Sequence, residues 1–219
     1  EEVCRILFSS EEKTTWEEWK LPDFCGEADD GEPDGGMVDA SWLRSVRARA
    51  VEILQDRSKP VFVRAAEYLQ YCEKMQQDLL QLTCGAGART KTGAERKTGT
   101  EAAAVYEQKW QRDCVCQTAD EAYDAFLLRM ERFKELEVLD AAWETEREQL
   151  LHTFTRENYL DAVNEFCQSR GPFEYEYEHL LVYFTYRYFM RAYYDGRILA
   201  RAQFAAASVL MIRDMDVLR

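Results

Sequence analysis

Arg187 stands one helical turn after Tyr183 and one turn before Arg191, in a stretch from Phe173 to Asp195 that is dense in tyrosine and phenylalanine. A guanidinium stays charged, so a buried one must meet a carboxylate or a carbonyl. Two outcomes are open. The arginine forms a structural ion pair with a glutamate of a neighbouring helix, or its planar fork recognises an anionic, carboxylate-bearing ligand in a tyrosine-lined pocket. On the second outcome Tyr177, Tyr183, Arg187 and Arg191 are the candidate substrate- or cofactor-binding residues. No residue is assigned a catalytic role. Glu178 lies on a different face of the same stretch, where it is expected to meet water or another helix.

The remaining chemically capable groups are sparser. Cys114 and Cys116 form a lone CxC, half of a zinc or iron–sulfur ligand set. No second pair follows at ligand spacing and no histidine is near in sequence, so these read as incidental thiols and no metal site is expected. His152 and His179 are the only histidines, and neither stands in an HExxH arrangement or beside a nucleophile. The Gly85-Ala86-Gly87 triplet lacks the strand that a nucleotide-binding turn requires in front of it. In the acidic run from Asp30 to Gly35 the oxygens resemble a calcium loop, but the twelfth position is Ser41 where a bidentate glutamate should stand.

These residues are carried by a chain of 219 residues, 47% hydrophobic and 32% charged, long enough to bury a large core without disulfide or metal. Its net charge is −13, of which residues 1–36 supply −9 through 12 acids against Arg5, Lys13 and Lys20. Such a surface repels phosphate backbones, so no nucleic-acid partner is expected. Seven scattered cysteines, an odd number, read as reduced thiols of a cytosolic protein. The first residues, EEVCRILF, have neither the basic start nor the long apolar run of a signal peptide, and the chain opens on Glu1 rather than Met, as is expected of a piece of a longer protein.

Nearly every segment has helical period and none alternates as a strand does. Helices are expected over residues 2–8, after a Ser9/Glu12 capping box, over 41–56, from the Ser58–Pro60 start to Leu82, over 101–112, after a Thr118/Glu121 capping box, beyond an Asp140 cap, over 155–169, over 173–195 and over 197–213. The prolines and glycines of residues 22–38 mark an acidic loop, and residues 85–100 a flexible linker. The organisation expected is therefore a helical part over residues 1–84, that linker, and a second helical part over 101–219 with 173–195 as its core helix. Because 173–195 is apolar nearly all round, the fold class expected is all-α, a compact multi-helix bundle around this buried aromatic-rich helix. Its charged residues interrupt a run already too short to span a membrane.

Three stretches in order resemble the flagellin lysine N-methylase family. LRSVRARAVEILQDRSKPVFVRAAEYLQYCEKM (43–75) is similar to its helix, "QDRS" turn and helix; RFKELEVLDAAWE (132–144) to its "LE…L…W" segment; and YEHLLVYFTYRYFMRAYYDGRILAR (177–201) to its aromatic helix followed by a DG break. The opening EEVCRILF resembles the stretch that follows the family's cysteine motif. The resemblance implies S-adenosylmethionine as methyl donor, flagellin or another lysine-bearing protein as partner, and a cytoplasmic bacterial protein. The family's iron–sulfur cysteine cluster is missing from this sequence, so that cofactor is not expected within these residues. The function expected is the helical portion of such a methylase, shaping a pocket while another segment carries the metal centre. A non-enzymatic helical interaction module and a ligand-binding helical sensor are the alternatives.

Overall fold

The computed structural model describes residues 36–86, 118–134, 142–169 and 174–218. Every regular element among them is helical: α1 (Ala40–Leu54), α2 (Val61–Ala86), α3 (Ala119–Lys134), α4 (Ala142–Thr153), α5 (Tyr159–Ser169), α6 (Glu174–Tyr188), a 3-10 turn (Phe189–Arg191), α7 (Ala192–Asp195) and α8 (Ile198–Leu218). The all-α class read from the periodicity is the class observed. The helices expected over 2–8 and 101–112, the Ser9/Glu12 box, the Asp140 cap, the acidic loop before Gly36 and the linker beyond Ala86 lie outside the described residues.

Capping chemistry starts the helices where the side chains dictate. Asp39 Oδ1 accepts from the Trp42 N–H at 2.6 Å, closing the first turn of α1. Thr118 Oγ1 accepts from the Glu121 N–H at 3.2 Å ahead of α3. Between α1 and α2, Asp56 Oδ1 accepts from both the N–H and the hydroxyl of Ser58, at 3.2 and 2.7 Å. Pro60 follows, where its missing N–H costs nothing, and its carbonyl accepts from Val63 and Arg64.

Two cores result. The first gathers α1, α2, α6, the 3-10 turn, α7 and the N-terminal part of α8 around Leu43, Leu54, Tyr68, Leu181, Phe189 and Ala202. The second packs α3, α4 and α5 against the C-terminal end of α8, with Phe126, Phe154 and Tyr159 in mutual ring contact at 4.7–5.7 Å. The most extensive helix pairing is α2 with α8. Small side chains at Ala202, Ala205 and Ala206, all buried, let α8 lie close to its neighbours while it runs through both cores.

Two boundaries differ from expectation. α2 continues to Ala86, one turn past Leu82. The helix expected over 173–195 is regular only to Tyr188. Phe189, Met190, Ala192 and Tyr193 are all buried. Four buried positions within five residues exceed the stripe a regular turn offers to one side, and the tighter 3-10 step re-phases the chain. Gly196, at φ 65°, then ends α7 with its N–H on the Ala192 carbonyl at 2.8 Å.

Candidate functional site

α6 is buried through Tyr177, Glu178, His179, Leu180, Leu181 and Val182 and again at Thr185, whereas Tyr183, Phe184, Tyr186, Arg187 and Tyr188 are half-buried. The helical row therefore leaves one side of its second half accessible. Along that side the Phe184 and Tyr188 rings stack at 6.2 Å, and Tyr183 meets Phe184 edge-on at 5.5 Å. Phe204 of α8, 42% exposed, sets its edge against both Phe184 (6.0 Å) and Tyr188 (4.9 Å). Arg191 is exposed and holds its guanidinium over the Tyr188 ring at 5.3 Å. Tyr183 and Arg187 stand one turn apart here, with Arg191 the last residue of the 3-10 turn. Tyr177 lies elsewhere: ten residues before Arg187, about 15 Å along the axis, it is buried, its hydroxyl donates to Asp216 Oδ2 at 3.0 Å, and its ring packs on Phe62 at 5.7 Å.

Two buried ionic locks hold this face in place. In the first, Glu178 is fully buried and accepts from Arg57 Nε (2.9 Å) and Nη2 (3.0 Å) and from Arg64 Nη1 (2.6 Å). Arg64 also donates to the Leu54 carbonyl. Glu178 thus meets other elements and no water, and it is α6 that supplies the carboxylate to arginines of α2 and the preceding turn. Burial by itself would raise the Glu178 carboxyl, but the hydrogen bonds from Arg57 and then Arg64 outweigh it and hold it below the usual range. Arg57 belongs to the QDRS turn and Glu178 to YEHLL, so two separated motifs are joined by this one contact. The third element of that pattern, the DG break, is the left-handed Gly196 cap.

In the second lock, Asp214 receives Arg129 Nε at 2.7 Å, Arg213 Nη2 at 3.0 Å and the Tyr159 hydroxyl at 2.8 Å, and the Tyr159 oxygen accepts from both guanidiniums. All four residues are buried. Burial would raise the Asp214 carboxyl; Arg129 and Arg213 prevail and lower it. For Tyr159 burial wins, aided by Asp214, and the phenol is pushed up to about 12. Cys72 is buried beside Tyr68 and its thiol is raised by that burial, and half-buried Cys167 is likewise raised by burial, against the opposing pull of Arg213. Both are poor nucleophiles in this state. His179 is buried edge-on to Tyr175, and His152 is exposed. Among the described residues no group of three or more His, Cys, Asp or Glu is placed to hold a metal ion. None of the described helices is long and apolar enough to cross a membrane.

A cleft of about 480 Å³ opens at the Gly196 turn, between α2 and the junction of α7 with α8. Gln76 forms one wall, its amide donating to the Gly196 carbonyl at 2.9 Å and accepting from the Leu199 N–H at 3.3 Å. Leu79, Leu80 and the Tyr194 ring give it apolar surface, and Asp195 and Arg197 flank it. Its size lies in the range of small-molecule sites. Motif spacing does not reveal this cleft, because its walls come from segments more than 100 residues apart. Phe184 and Tyr188 were visible as an i, i+4 pair, but the ring they meet on α8 was not.

A family model described as the FliB lysine N-methylase C-terminal domain matches residues 47–219, well over half of the chain. The chain belongs to that family. No curated protein and no solved structure matches the chain. Within this FliB-type domain, the stretches singled out as family-like serve packing and ion pairing: QDRS and YEHLL meet in the Glu178 lock, and the DG break caps α7.

Proposed function

We propose that this chain is the helical, substrate-holding part of a cytoplasmic, S-adenosylmethionine-dependent protein-lysine N-methylase, with flagellin or another lysine-bearing protein as its partner. The observation that supports it is the accessible face of Tyr183, Phe184, Arg187, Tyr188, Arg191 and Phe204 on the two principal helices of a lysine N-methylase C-terminal domain. Stacked rings accept the methylenes of a polypeptide side chain, and arginine forks hold carboxylates or carbonyls. S-adenosylmethionine supplies the methyl group. The cleft at the Gly196 turn fits that donor in size, with the Tyr194 ring suited to an adenine and Arg197 to a carboxylate. The domain's own part is to hold and orient, and no group of this chain is assigned the proton of the lysine.

Titration calorimetry of the chain with S-adenosylmethionine tests this reading. Saturable micromolar binding, weakened about tenfold by Arg197→Ala, a change worth ~1.4 kcal/mol, is the expected result. A second reading, a non-enzymatic interaction module, draws on the exposed Met37, Leu80 and Leu82 side chains. No heat from a folded sample would transfer the assignment to that module.

A further inference from the structure

The cleft at the Gly196 turn has one wall that lies outside the family match. Met37 and Val38 line it, although the match begins only at residue 47. Both are held against α7, deep inside the matched domain. Gly36 lies so close on the Tyr193 ring that a Cβ there would overlap the ring carbons. Tyr193 is buried, so its ring has little room to yield. Next along the chain the Met37 N–H donates to the Tyr193 carbonyl at 2.9 Å, and Val38 is buried beside Gly196. Asp39 then caps α1. These three residues are thus fastened at both ends, by the contact of glycine with ring and by the cap. Between the two fastenings the Met37 side chain stays 67% exposed on the rim that it shares with Leu80, Tyr194 and Arg197.

We propose that residues 36–38 form a strap over the ligand of this cleft, in which Met37 covers the bound molecule and Gly36 seats the strap on Tyr193. The identity of the ligand rests on the methylase reading, and the strap rests on the packing around Tyr193. An unbranched thioether side chain adapts to an irregular surface, so a ligand ring set against Tyr194 gains an apolar cover and takes exposed Met37 area out of water. The same cover shields the hydrogen bond from Met37 to Tyr193, and a shielded bond opens less often. A filled cleft therefore fixes the point at which the acidic residues 1–35 join the domain. Coupling of this kind is reciprocal: whatever loosens the strap must weaken the ligand by the same factor.

Amide hydrogen exchange at Met37, followed in the full chain with and without S-adenosylmethionine, tests the strap. Saturating ligand should slow exchange there about tenfold. Gly36→Ala lifts the strap from the ring, so it should remove that slowing and weaken binding severalfold. Met37→Ala should weaken binding about tenfold, and Met37→Leu, which keeps the apolar volume, should hold it within about twofold of the natural chain. Ligand binding that leaves Met37 exchange unchanged overturns the proposal, as does an affinity indifferent to Met37→Ala. Where S-adenosylmethionine gives no heat, anilinonaphthalene sulfonate is the second probe, because its rings suit Tyr194 and its sulfonate suits Arg197. Fluorescence of that probe that is lost in Arg197→Ala, together with slowed Met37 exchange, sinks the methyl-donor reading and leaves the strap standing. No slowing with either probe overturns the strap as well.

Discussion

At the scale of single residues, a carboxylate does the joining that the arginines were expected to do. Glu178 is fully buried and serves two guanidiniums, one of them, Arg64, buried with it, the other, Arg57, with 35% of its side chain exposed. Removing one partner of a buried pair strands the remaining charge, at a cost of about 3–5 kcal/mol. Glu178→Ala should therefore lower unfolding stability by roughly that amount in urea titrations, and Arg57→Ala by clearly less because water reaches its guanidinium. Equal losses would show that the pair is not buried in solution. Glu178 and Asp214 are both held below their ordinary ranges. The stability they lend is whole above the unfolded carboxyl values of about 4 and drains away as pH falls through the lower folded values. In Glu178→Ala the acid limb of the stability curve should flatten correspondingly. The spacing of Tyr183, Arg187 and Arg191 was legible in the sequence because it is local. The partner of Glu178 was not, since Arg57 lies 121 residues away.

At the scale of elements, the decisive local device is the joint between α6 and α8. A 3-10 turn re-phases the buried residues, and Gly196 reverses the chain in the left-handed region at φ 65°. A Cβ there meets Leu79 Cδ2 and Val38 Cγ2 only at ordinary contact distances, 3.6 and 3.9 Å. The expense of substitution is therefore conformational. Gly196→Ala should cost about 1–2 kcal/mol in thermal unfolding. A neutral result would mean that the turn adopts another conformation. The DG break was read correctly as the end of one helix and the start of the next. The 3-10 turn was missed because continuous aromatic composition hides which side each ring must face.

At the scale of the whole molecule, α8 joins two cores that otherwise share little. Its first turns pack with α1, α2 and α6, and its last turns carry Arg213, Asp214 and Met215 into the core of α3, α4 and α5. The Asp214 lock belongs to the second. Asp214→Asn leaves Arg129 and Arg213 buried without their counter-charge, so amide exchange should accelerate in α3, α5 and the end of α8 well before α1 and α2 respond. Uniform acceleration across all helices would show one cooperative unit in place of two. The first core draws residues from both sides of residues 85–100, an association that composition along the chain cannot express.

Read alone, the amino-acid order determined the helical class, the caps at Thr118 and Gly196, the break near Asp195 and the kinship carried by 43–75 and 177–201, because periodicity, capping and motif spacing are written between residues a few positions apart. Tertiary structure alone decided that Arg57 meets Glu178, that Arg129 and Arg213 share Asp214, and that Phe204 completes a ring surface beside Arg191. Those pairings depend on which helix faces lie together, and that is set by burying apolar area over the whole chain rather than by any local rule.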